Sequence, residues 1–84
     1  MKKTVLLILV DKRKKAAINV QKILTGWGCI IKTRLGIHDG VLDNCSDAGL
    51  IICELVGSSS KKKELARKLR LVSGVNTKLI ELSL

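Results

Sequence analysis

Two apolar runs decide what this chain can fold into. Val5-Leu6-Leu7-Ile8-Leu9-Val10 and Leu50-Ile51-Ile52-Cys53-Glu54-Leu55-Val56 are each followed by a short polar stretch and then a lysine-rich amphipathic segment. The repeat reads as two strand-then-helix units. A strand covered on one side alternates apolar and polar residues, whereas these runs are apolar at odd and even positions alike. Both faces of the central strands are therefore expected to be covered. The 84 residues are expected to form one domain, residues 1–84, with a thin core, since chains of this size bury only about 60 to 65% of their unfolded surface. Cover for the second face is accordingly expected from another copy, in a homodimer or higher oligomer built through the open sheet face.

Between the runs, Ala17, Val20, Ile23, Leu24 and Trp27 return at three- and four-residue intervals, which predicts a helix from about Lys12 to Thr25 stopped by Gly26 and Gly28. Residues 30–37 read as a second strand of one-sided pattern, with Lys32 and Arg34 alternating with Ile31, Thr33 and Leu35. The polar stretch 38–47 carries Gly40 and several Asx residues, so 30–56 reads as a hairpin. Ser58, Ser59 and Ser60 offer caps for a second helix with Leu65, Ala66, Leu69 and Val72 on its inner face, and Gly74 is its stop signal. A last strand over 76–82 completes the order βαββαβ. That order predicts an α+β, ferredoxin-like sandwich: a four-stranded antiparallel sheet with two helices on one face. Right-handed crossovers are taken to make strands one and three parallel neighbours at its centre.

Composition narrows the partners. Sixteen Lys and Arg against seven Asp and Glu give a net charge of +9, which attracts phosphates, nucleic acid or acidic surfaces without choosing among them. Trp27 is the one aromatic residue, so modules that stack bases on a sheet have little to work with. Cys29, Cys45 and Cys53 form no close pair, which points to reduced thiols in the cytoplasm rather than a disulfide framework. Met1-Lys2-Lys3 ahead of the first run imitates a secretory start, but the run is short and Asp11 to Lys15 follows at once. Nothing reaches membrane-spanning length, and no membrane partner is expected.

With the elements placed, the chain resembles the iron-only hydrogenase system regulators, small proteins grouped with ACT-like domains and with the ligand-binding domain of the nickel-responsive repressor. The resemblance is carried by residues 6–13, Leu-Leu-Ile-Leu-Val-Asp-Lys-Arg, by Arg34-Leu35-Gly36-Ile37, by Ala48-Gly49-Leu50-Ile51-Ile52-Cys53, and by Leu65 to Leu69 leading into Val72-Ser73-Gly74-Val75. It implies a cytosolic, oligomeric, non-enzymatic regulatory module with a ligand still to be established. It does not carry over the repressor's nickel site, which takes several histidines where this chain has one. No DNA-binding segment precedes residue 4, so the likeness is expected to stop at the repressor's sensor half.

Two constellations compete as binding sites. Helices that follow parallel strands one and three begin at the same sheet edge, which is expected to bring Lys12, Arg13, Lys14 and Lys15 near Ser59, Ser60, Lys61, Lys62 and Lys63. Exposed cations at a helix N-terminus oppose the macrodipole by roughly 0.3 to 1 kcal/mol each, so stability alone does not choose them. A small anionic effector, or a nucleic acid in a second reading, would find lysines and free N–H groups together there; a solvated lysine surface is the plainer alternative. The other constellation is the turn holding His38, Asp39, Asp43, Cys45 and Asp47, where His38 and Cys45 are candidate metal ligands that a second copy would complete. A plain polar turn explains the same residues. No resident cofactor is indicated. Catalytic motifs are missing: no nucleophile elbow, phosphate-cradling GxxxxGK or HExxH occurs.

Overall fold

The structure, a computed structural model, describes residues 1–11, 14–38 and 49–84. Its elements are β1 (Lys2–Val10), α1 (Lys14–Gly26), a 3-10 turn (Gly28–Ile30), β2 (Ile31–His38), β3 (Gly49–Leu55), α2 (Ser59–Arg70) and β4 (Val75–Ser83). The expected βαββαβ order and α+β class are what the chain adopts. Strands run in the order β2-β3-β1-β4, and every neighbouring pair is antiparallel. The expectation that strands one and three are parallel is therefore wrong. The right-handed crossover through α1 joins β1 to β2, which are parallel to each other; β3 returns from β2 into the gap between them and so runs against both.

The core lies between the helices and one face of this sheet. Leu6, Ile8 and Val10 of β1 and Ile51, Cys53 and Leu55 of β3 meet Ala16, Val20 and Leu24 of α1 and Leu65, Ala66 and Leu69 of α2. Four-residue spacing makes Ala16, Val20 and Leu24 one stripe, so the buried face of α1 begins one residue before Ala17, which is only half-buried. Burying a Leu, Ile or Val side chain contributes about 1.5–3 kcal/mol, and this stripe-on-sheet contact is the main source of stability. Ser58 caps α2: its side chain accepts a hydrogen bond from the Lys61 N–H at 3.3 Å. Beyond the helix, Gly74 has φ +83°, and its carbonyl accepts from the Asp11 N–H at 2.9 Å. This contact closes the end of β1 onto the start of β4.

β2 departs from its expected face. Ile31 pairs with Leu55 and Thr33 with Glu54, a register shift that leaves Lys32 as an extra residue. A bulge of this kind moves every later side chain to the other face. Ile31 packs against the core, whereas Leu35 and Ile37, opposite Ile52 and Leu50, point away from the helices.

Candidate functional site

Antiparallel pairing of β1 and β3 separates the two basic groups. α1 follows Val10, whose partner on β3 is Gly49; α2 follows Leu55, whose partner is Thr4. The helices thus begin at opposite ends of the sheet, about 20 Å apart at 3.4 Å per residue. Lys62 confirms its end: its Nζ donates to the buried Thr4 Oγ1 at 3.0 Å. Lys15 is exposed at the start of α1, while Ser59, Ser60, Lys61 and Lys63 are exposed at the start of α2. Among the described residues the two helix starts are thus not brought together; the expectation that they share one sheet edge depended on a parallel β1 and β3. Lys12 and Arg13, and the side chain of Lys14, lie outside the described residues. So do Cys45 and the side chain of His38, whose backbone ends β2 opposite Gly49. Among the described residues no three His, Cys, Asp or Glu side chains gather as a metal site.

The cysteines that are described differ sharply. Cys29 is an exposed free thiol and Cys53 a buried one. Burial pushes the Cys53 thiol above its ordinary pKa, with Arg34, its cross-strand partner, pulling part of the way back. A buried protonated thiol is a packing group, not a nucleophile.

What the strands do assemble is the face turned away from the helices. Pairing lays its side chains out in rows across the sheet: Thr33, Glu54, Val5 and Ile80; then Leu35, Ile52, Leu7 and Lys78; then Ile37, Leu50, Leu9 and Asn76. Leu82 lies beside Lys3 beyond the first row. Leu9 and Leu35 are each 54% exposed, Ile37 47% and Leu82 60%. Four strands about 4.8 Å apart and seven residues long project roughly 450 Å², and the apolar part of this face, bordered by Thr33, Glu54, Lys78 and Asn76, reaches the few hundred Å² at which apolar patches are often functional. At one end Lys3, Val5, Thr33, Leu35, Ile52 and Glu54 line a shallow hollow of about 370 Å³. There the Glu54 carboxylate holds Lys3 at 3.2 Å and Lys32 at 4.0 Å. The hollow is apolar-floored with a charged rim, and the rest of the face is largely apolar, with Lys78 and Asn76 at its β4 border. The sequence marked this face through the two-sided β1 and β3 runs, but it gave no sign of the share that β2 adds.

A second feature went unread. On the outer side of α2, Lys63, Arg67 and Arg70 stand along a groove of about 710 Å³ whose opposite wall is Thr77, Lys78 and Leu79 of β4. Glu64 is the one carboxylate among the described residues that line it. Arg67 holds it through Nη2 at 2.6 Å and Nε at 3.0 Å, and this hydrogen bonding keeps the carboxyl below its ordinary pKa. The signal was present as cations three and four residues apart on one helix face.

The fold so described is ACT-like and ferredoxin-like. No protein-family model and no curated protein sequence matches the chain, but solved structures do. The chain superposes on the uncharacterized protein TM1266 from Thermotoga maritima with a TM-score of 0.82 and 27% identity, covering 99% of this chain and 100% of that one. The ACT domain from the GTP pyrophosphokinase of Chlorobium tepidum matches with a TM-score of 0.61 and 17% identity over 98% of this chain and 97% of that one. A dimeric ferredoxin-like protein from an uncultured marine organism matches with a TM-score of 0.50 and 11% identity over 96% and 92%. Among the described residues no helix is long and apolar enough to cross a membrane.

Proposed function

We propose that this protein is a non-catalytic regulatory module that works as a homodimer, two sheets packed face to face, in the cytosol. The observation that carries the reading is the open face, where Val5, Leu7, Leu9, Leu35, Ile37, Leu50, Ile52 and Ile80 form one apolar surface across all four strands. Water-exposed leucine and isoleucine on this scale cost solubility unless a partner covers them, and a second copy supplies a matching apolar sheet at the usual spacing of about 10 Å. Likeness to an ACT domain and to a dimeric ferredoxin-like protein supports regulation and self-association. The hollow rimmed by Lys3 and Glu54 opens onto the same interface, so a small effector held there would feel the assembly and bias it.

Membership of the iron-only hydrogenase system regulators rests on the short matching segments at 6–13, 34–37, 48–53 and 65–75. The exposed thiol of Cys29 fits a reducing compartment. Light scattering at tens of micromolar protein tests the assembly: a dimer for the parent and a folded monomer for Ile52→Lys are expected, and a parent that stays monomeric removes the reading. Loss of the gene in a hydrogenase-bearing host should change hydrogenase activity, and an unchanged activity removes the finer assignment.

A further inference from the structure

The groove between α2 and β4 lies apart from the open face, and its chemistry is different. β4 is an edge strand, paired on one side to β1. Nine residues long, it leaves a row of main-chain groups for another strand to use. Beside that edge stand Lys63, Arg67 and Arg70, all exposed, with Glu64 already held by Arg67. Arg67 and Arg70 are favoured near the C-terminal end of α2 by the helix dipole. Lys63 lies beyond the first turn, where the dipole has little hold, so the dipole does not account for the whole row.

We propose that this groove binds an extended acidic segment of another protein, which adds to the sheet as a fifth strand beside β4 and sets alternate carboxylates against α2. The spacings agree. Side chains on one face of a strand recur about every 6.8 Å, and helix residues four apart climb about 6 Å, so carboxylates two residues apart meet Lys63 and Arg67. Arg70 stands about 4.5 Å further along the helix. The intervening apolar side chains turn to the other face of the sheet, beside Ile80 of β4. A second copy of this chain does not fit, because edge-to-edge pairing sets two cationic grooves against each other. A nucleic acid fits less well: it makes no use of a strand edge, and the chain's one aromatic residue, Trp27, follows α1 and is not part of this groove. Strand addition of this kind draws affinity from main-chain hydrogen bonds and specificity from alternate side chains.

The test uses a fluorescein-labelled ten-residue peptide alternating glutamate with valine or threonine, the same peptide N-methylated at every residue, and a ten-nucleotide oligothymidylate. Anisotropy at moderate salt should show the first peptide binding, with about a tenfold loss in Lys63→Ala/Arg70→Ala. Both replacements are exposed and Ala favours helix, so the variant should keep the parent's melting curve. The N-methylated peptide should lose binding, and amide shifts should follow β4 rather than β2. No binding by the plain peptide overturns the proposal. So does equal binding by the N-methylated peptide, or by oligothymidylate, since either shows a bare electrostatic surface without strand addition.

Discussion

The two faces of one sheet are built from the same residue types and behave differently because, among the described residues, only one is covered. Toward the helices, Leu6, Ile8, Cys53 and Leu55 are almost wholly excluded from solvent; away from them, Leu9, Leu35 and Ile37 are about half exposed. Adjacent residues belong to opposite worlds: Ile51 is 8% exposed on the helix side, and Ile52, one step on, faces the open side across from Leu7 and Leu35. The lesson is that hydrophobicity in β1 and β3 serves two purposes, folding on one face and association on the other, and mutations separate them.

The largest contrast should come from lysine at those two neighbours. Ile51→Lys forces an ammonium among the core side chains, a cost of several kcal/mol against the roughly 5 kcal/mol total expected of so small a domain, and circular dichroism should show an unfolded chain. Ile52→Lys should leave the circular dichroism intact and give a monomer by light scattering. If both unfold the chain, the open face is part of the core after all.

Truncation makes the same comparison in finer steps. Leu6→Ala or Leu69→Ala, each at a fully buried position, should cost about 2–5 kcal/mol in urea unfolding. Leu35→Ala should change monomer stability by less than about 0.5 kcal/mol while weakening self-association. A larger monomer effect at Leu35 would mean that β2 carries more of the fold than its exposure implies.

Gly74 sits where the covered face ends. Its positive φ is one that L side chains rarely adopt, and a Cβ there would have to displace the Asp11 carboxylate. Gly74→Ala should therefore lower stability by about 1–3 kcal/mol, with dimerisation of the folded fraction unchanged. A neutral result would show that the junction between β1 and β4 yields easily.

The covered face was the easier one to read in the sequence. Leu65, Ala66 and Leu69 recur at helical spacing and are the buried face of α2, and Ser58 was among its three candidate caps. Strand direction was not legible, because the crossover rule constrains β1 with β2, the strands that α1 joins, and not β1 with β3; the expected meeting of the two helix starts depended on it. The bulge at Lys32 has no glycine or proline to announce it, so the outward turn of Leu35 and Ile37 is a tertiary outcome, set by pairing with β3. Lys63, Arg67 and Arg70 were legible as a helical row, but only the placement of β4 beside them makes a groove.

Alkaline pH probes the covered face gently. Because burial raises the Cys53 pKa in the folded state, between the unfolded and folded values the unfolded chain releases a proton that the native chain keeps. Stability is then fully present below the unfolded thiol's pKa of about 8.5 and falls as pH rises past it, by at most about 1.4 kcal/mol per pH unit from this group. Cys53→Ala should flatten that decline in a pH series of urea midpoints. An equally steep decline would assign it to other groups.

The smallest expected effect is at the rim of the open face. Lys32 and Lys3 share the Glu54 carboxylate, at 4.0 and 3.2 Å, and Lys32 is well exposed, its side chain at 57%. Exposed pairs contribute about 0–1 kcal/mol, and the shorter contact to Lys3 persists when Lys32 is removed. Lys32→Ala should therefore shift the urea midpoint by no more than a few tenths of a kcal/mol. Its informative readout is the dimer: Glu54 rims the hollow on that face, and with one cation fewer its carboxylate carries more uncompensated charge into the interface. A slightly weaker dimer, with the weakening relieved by added salt, would place Glu54 inside the contact between copies, whereas a dimer indifferent to Lys32 and to salt would place the contact over the apolar rows alone.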